Sequence, residues 1–244
     1  MLQLQNVVAT FLKRIVLKIK FLYLCTLLIA VLTSVNTYAG IALGQTRVIF
    51  DGSKKEVELS VSNNKKDSNY LIQSYITKSN NKKTNDFIIT PPLFVMKGKE
   101  ENLLRIVGVN KESLAKDRES LYWVNVKAIP SLSEKDKGKN IIQIAINNRI
   151  KLFYRPHKFK VTPIKAQSMI KFSRHGDKIT ISNPTPYYIT IINMIVGKGK
   201  LEPTMIAPYS EHKIDNKKNY RGKITYQTIN DYGGTSDVIK AGSI

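Results

Sequence analysis

Three histidines, His157, His175 and His212, are natural candidates for chemistry, because imidazole binds metals and moves protons near neutral pH. They stand apart from one another, with no cysteine or carboxylate at metal-ligand spacing. No Gly-x-Ser-x-Gly turn and no phosphate-cradling glycine loop occurs. Asp117-Arg-Glu119 is the densest carboxylate cluster, and beside the apolar run Leu121–Val124 it reads as a structural ion pair. The only tryptophan, Trp123, reads as a core residue of that run. None of this forms a catalytic constellation, a metal site or a cofactor site. The expectation is a binding protein, not an enzyme.

The pattern with most to offer is apolar alternation. In an extended chain Ile142, Ile144, Ile146, Ile150 and Leu152 fall on one side, and Gln143, Ala145, Asn147, Arg149 and Lys151 on the other. The whole run, Ile141–Tyr154, is about twice the usual strand of roughly 5–6 residues. At about 3.3 Å per residue it would reach roughly 40 Å. At a sheet edge such a strand invites aggregation unless a partner uses it. An ordinary half-buried strand has the same periodicity, so alternation alone leaves both readings open.

The elements that would position this run are short and β-rich. Thr46–Phe50, Val57–Ser62, Asn69–Thr77, Phe87–Thr90, Leu103–Val109 and Leu121–Ile129 are separated by polar breaks, among them Asp51–Lys55, Asn63–Ser68 and Ser131–Asn140. No window shows a convincing helical period. Together with Ile141–Tyr154 they predict an immunoglobulin-like β-sandwich, with a β-barrel as the alternative. Tyr154-Arg-Pro156 closes this first domain, because proline ends a strand. Ile170–Ser173, Lys178–Ser182, Tyr187–Ile195, His212–Ile214 and Lys223–Ile229 then predict a smaller second sandwich. The expected divisions are 1–39, 40–156 and 157–244, and the fold class is all-β.

Residues 1–39 contain Lys13, Arg14, Lys18 and Lys20, no acid, an uncharged run Phe21–Leu32, and small residues at Thr37 and Ala39. That is the layout of a secretory signal peptide. The run falls short of the roughly 20 apolar residues that span a bilayer. Cleavage near Gly40 is expected, and it removes Cys25, the only cysteine. Without the four basic residues of 1–39, thirty-five basic residues face eighteen acidic ones, a net charge of +17. The lysines, for example Lys54, Lys65, Lys82 and Lys178, are scattered over turn-like stretches, and no nucleic-acid motif accompanies them. Nucleic acid is therefore not expected as a partner.

Longer motifs carry a resemblance. Arg149-Ile-Lys-Leu-Phe-Tyr-Arg-Pro156 resembles the end of the first domain in periplasmic, usher-dependent pilus chaperones, the PapD-like family, and is similar above all to the type 1 fimbrial branch. Ala42–Phe50, Thr90–Lys99, Asp117–Pro130, Asn183–Tyr188 and Thr225–Gly233 agree in the same order, covering essentially all of the mature chain. Members of this family are β-sandwich proteins, and they bind pilins by donating a strand. The resemblance implies two sandwiches in a boomerang and a periplasmic chaperone without cofactor. It would capture, fold and cap pilus subunits and adhesin by donor-strand complementation, and deliver them to the outer-membrane usher. Ile142, Ile144 and Ile146 would be the side chains lent to the subunit, with Ile150 and Leu152 kept in the chaperone's own core. Arg47 and Lys151 would hold the subunit's C-terminal carboxylate, and Glu119, Arg155 and Asp231 would tie the two domains. Free, the chain would be open to self-association through the same strand. Asn147-Asn148 is more polar than the family pattern, and no cysteine pair is present in the second domain. Two rivals remain: a pilus subunit, against which the lack of cysteine in 40–244 argues, and a secreted basic module that binds anionic glycans or surfaces.

Overall fold

Residues 14, 17–24, 40–132, 138–157, 159–216 and 218–244 are described by the computed structural model. Met1–Ala39 and Gly40–Ile244 are separate compact units. In the first, residues 17–24 are helical and exposed, and most of the expected signal peptide lies outside the described residues. So do residues 133–137 of the break Ser131–Asn140. Among the described residues no helix is long and apolar enough to cross a membrane.

The second unit is built from strands whose alternating residues are buried. The first sandwich comprises β1 (Ile41–Leu43), β2 (Arg47–Asp51), β3 (Glu56–Asn63), β4 (Tyr70–Lys78), β5 (Phe87–Thr90), β6 (Leu93–Met96), β7 (Glu101–Gly108), β8 (Ser120–Pro130) and β9 (Ile146–Arg155). One sheet runs β1-β3-β7-β5 and the facing sheet β2-β9-β8-β4-β6. Val48, Phe50, Leu59, Ile72, Leu104, Ile106, Val124 and Leu152 fill the space between them. Burying each such side chain contributes about 1.5–3 kcal/mol, so the inward parity of every strand is strongly held. The Thr90–Pro91 peptide bond is cis.

The second sandwich comprises β10 (Lys171–His175), β11 (Lys178–Asn183), β12 (Ile189–Val196), β13 (Gly199–Leu201), β14 (Thr204–Ile206), β15 (Ser210–Asp215), β16 (Lys223–Thr228) and β17 (Ile239–Ser243). A three-stranded sheet, β10-β11-β15, faces β13-β12-β16-β17, with β14 also on β12. Its separate core centres on Ile179, Ile181, Ile191, Met194, Val196 and Tyr226. A five-residue helix, Pro163–Gln167, is absent from the sequence expectations. Its start has a recognisable cause: the Thr162 side chain accepts a hydrogen bond from the Lys165 amide, and proline occupies the first turn.

Two expectations need correction. The long strand is shorter than its periodicity suggested: β9 begins at Ile146, and Ile141–Ala145 lies outside any strand. The partner strand is the reason. β8 pairs with β9 only as far as Ala128 opposite Ile146, and it ends at Pro130, which has no amide to donate. Trp123 is the second. Its neighbours Tyr122 and Val124 are buried, so the two-residue period turns the indole to the outer face, where it is only half-buried.

Candidate functional site

Arg47 opens β2 and Lys151 lies in the middle of β9. These strands pair in parallel, and the register sets Arg47 directly opposite Lys151. Parallel pairing of the first and last strands of one sheet closes the whole domain between them, which joins residues 104 apart in sequence. Both side chains are half-buried. Arg47 Nη1 donates to the Ile229 carbonyl at 3.3 Å, and the guanidinium lies 5.8 Å from the Phe153 ring. Arg47 Nε is buried and has no hydrogen-bond partner among the described residues. Burial pulls the Arg47 guanidinium below its ordinary value, against the pull of Asp231 and Glu119. Burial, then the charge of Arg47, pulls the Lys151 ammonium down. Among the described residues neither cation forms an ion pair. Two adjacent cations are thus held without an ion-pair partner among the described residues, an arrangement suited to a carboxylate.

Four residues along β9 the electrostatics are reversed. Arg155 Nε donates to Glu119 Oε1 at 2.8 Å, and its two terminal nitrogens donate to Asp231 at 2.7 and 2.8 Å. Glu119 is 4% exposed, and its second oxygen accepts from the Tyr188 amide at 2.8 Å. The Glu119 amide in turn donates to the Pro186 carbonyl at 2.9 Å. Burial pushes the Glu119 carboxyl up, against Arg155 and the Tyr188 amide. Burial opposes the Arg155 charge as well, but the Asp231 hydrogen bonds and both acidic charges lift it above its ordinary value. Every charged atom here is answered, and the partners come from both sandwiches.

Of the remaining predicted residues, Ile146 opens β9, and Ile142 and Ile144 lie just before it, outside any strand. Ile142, Ile144 and Ile146 are 92%, 71% and 59% exposed. Ile150 instead packs against the first core, and Leu152 is fully buried. β2 covers β9 only from Lys151 to Arg155, whereas β8 pairs with it from Ile146 to Tyr154. Among the described residues, Ile146–Ile150 therefore pairs on one side alone. An open strand edge, exposed apolar side chains and two cations without an ion-pair partner among the described residues lie close along the chain.

Sequence reasoning missed two contributors. Arg149 lies over the Trp123 ring at 4.3 Å, and Lys151 lies 6.0 Å from the same ring. Strand parity was the available signal, because Tyr122 and Val124 could both be recognised as core. Tyr188, whose amide caps Glu119, carried no signal beyond its place in Asn183–Tyr188.

Family models decide the class. Residues 40–160 match the pili and flagellar-assembly chaperone, PapD N-terminal domain, and residues 165–240 match the pili assembly chaperone PapD, C-terminal domain. The chain is 46% identical over 206 residues to the chaperone protein FocC of Escherichia coli, covering 84% of this chain and 91% of that one. This chain belongs to the PapD-like pilus chaperones. It is 43% identical over 204 residues to the chaperone protein FimC of Escherichia coli strain K12, covering 84% and 85% of the two chains. The crystal structure of the periplasmic chaperone SfaE superposes with a TM-score of 0.73 at 44% identity, over 83% of this chain and all of that one. The Salmonella enterica SafB chaperone, solved with the SafA pilin, gives 0.75 at 29% identity over 85% and 98% of the two chains. As a PapD-like chaperone, the protein has the two-domain immunoglobulin-like fold and a chaperone's role in pilus assembly.

Proposed function

We propose that residues 1–39 export the chain to the periplasm as a signal peptide and are cleaved off, and that the mature chain holds pilus subunits, the adhesin among them, through β9 and the residues just before it. The observation that carries this reading is the pairing of Arg47 with Lys151, without an ion pair among the described residues, close to an open edge at Ile146–Ile150 and to the exposed Ile142, Ile144 and Ile146. A subunit lacking its last strand presents an apolar groove and unpaired backbone. β9 supplies backbone partners along Ile146–Ile150, and the three isoleucines enter the groove as lent core residues. Ile141–Ala145 orders onto the subunit and so extends the strand to the length its alternation suggests. Arg47 and Lys151 receive the subunit's C-terminal carboxylate through charge-assisted hydrogen bonds, which fixes register. Glu119, Arg155 and Asp231 tie the two sandwiches and do not touch the subunit. Held subunits pass to the outer-membrane usher. Without a subunit, the same edge is open to a second copy of the chain.

Affinity purification of the tagged chain from periplasm tests this directly. Pilin-like proteins should co-purify and stay bound in high salt, whereas a glycan-binding basic module would release its ligand as charge is screened. Arg47→Ala and Lys151→Ala should fold normally and recover no subunits. Recovery at the unaltered level by both variants would remove the anchor from this account.

A further inference from the structure

Alternation protects a docked strand against slipping by one residue, because that turns its apolar face away. It does not protect against a slip of two, which keeps the face and moves the chain by about 7 Å. The chain carries a hazard of this kind. Arg149 stands two residues before Lys151, on the same outward face of β9, and is exposed. A carboxylate that chose Arg149 over Lys151 would seat its strand in a displaced register with apolar packing preserved. Something must make the two cations unequal.

Trp123 does so by position. It is the cross-strand partner of Lys151, and Asn125, two residues along β8, is that of Arg149. The indole turns outward beneath both cations. The Arg149 guanidinium lies 4.3 Å from the ring centroid, well within cation–π range, and its Nη2 donates to Asn81 Oδ1 at 2.7 Å. Lys151 Nζ, 6.0 Å from the centroid, is at the limit of that range. One cation is thus stacked and hydrogen-bonded, while the other is only braced and stays beside Arg47. We propose that Trp123 is a positioning residue that retires Arg149 from carboxylate binding, so that the Arg47–Lys151 pair defines a single docking register. Residue types alone do not distinguish Arg149 from Lys151. The ring beneath them does.

This inference rests on the carboxylate-anchor reading above, and disulfide trapping separates the two. Residues 40–244 contain no cysteine, so Ile144→Cys introduces a unique thiol. The probes are synthetic peptides of about fifteen residues, alternating valine and serine as a strand-addition ligand requires, each with one cysteine at a successive position. They are made with a free C-terminal carboxylate and as the amide. The unaltered background should trap one peptide position. Trp123→Leu should add a product displaced by two positions, shifting the ratio about two- to fivefold, the worth of an exposed cation–π contact. Trp123→Phe, which keeps a ring, and the double variant Trp123→Leu with Arg149→Gln should restore the single product. A single product from Trp123→Leu overturns the inference. The same pattern with amide and free acid overturns the anchor reading instead, and no trapping by any peptide overturns strand donation itself. A ligand-free measurement judges Trp123 in every case. The Arg149 Nε–H proton resonance should lie upfield from the indole ring current and lose that shift in Trp123→Leu, and an unchanged resonance overturns the proposal.

Discussion

Two clusters of charge share strand β9, four residues apart, and they are built to opposite rules. At Arg155 each charged group meets a partner within 2.8 Å, and Glu119 is further capped by the Tyr188 amide. At Arg47 and Lys151 two like charges are brought together, partly desolvated, and neither forms an ion pair among the described residues, although Asp231 and Glu119 act on Arg47 from further off. The first arrangement is complete in the isolated chain and so acts on its architecture. The second sets two like charges side by side, and on the proposed reading a subunit carboxylate completes it. On that reading, the satisfied cluster is the tie and the unsatisfied one the docking point.

Variants separate these roles. Arg155→Ala leaves Glu119 buried and without its ion-pair partner, and removal of one member of a buried pair costs about 3–5 kcal/mol. Chemical denaturation should report that loss as a lower midpoint, and a drop under about 1 kcal/mol would contradict the reading of a complete tie. Asp231→Ala should cost less, about 1–2 kcal/mol, because Asp231 is one-third exposed and the Glu119 bond to Arg155 survives. Lys151→Met should move the other way. It relieves a half-buried charge beside Arg47, so thermal scans should show a rise of about 1–2 °C while subunit binding is lost. Replacing Ile142, Ile144 and Ile146 together with serine should leave stability within about 0.5 kcal/mol, since all three are exposed, yet sharply weaken subunit capture.

Alkaline pH gives a further contrast. Carboxylate binding needs the protonated ammonium, and the Lys151 value in the folded chain lies below that of an ordinary lysine. Subunit affinity should therefore fall as pH rises through that lowered value, and Lys151→Arg should hold its affinity to higher pH. Identical profiles for the two would remove Lys151 from the binding step.

Much of the fold was legible because burial follows parity. Val57–Ser62, Asn69–Thr77 and Leu121–Ile129 appear with their ends moved by a single residue, since each is rich in strand-forming residues and turns every second one toward one core. Parity also overreached. It carried the long strand back to Ile141, because Ile142 and Ile144 keep the phase, but a strand needs a partner and β8 stops at Pro130. The short strands Gly199–Leu201 and Thr204–Ile206 have too few residues to show a period, and Ile239–Ser243 includes Gly242 and Ser243. Glu119 and Arg155 could be named from motifs, and so could Arg47 and Lys151. Their proximity could not, because it depends on β2 lying parallel to β9, a property of topology that no local window contains. Trp123 reads as core because it lies in an apolar run, whereas the parity of its neighbours points outward.

The contrast between a closed and an open cation cluster is tested most directly by titrating the purified chain with the C-terminal segment of a co-purifying subunit. The segment is prepared as the free acid and as the amide. Each charge-assisted hydrogen bond is worth about 1.5–3 kcal/mol, so the amide should bind about 10- to 100-fold more weakly. That difference should vanish in Arg47→Ala and Lys151→Ala and persist in Asp231→Ala. Equal affinity of acid and amide for the unaltered chain would contradict the account.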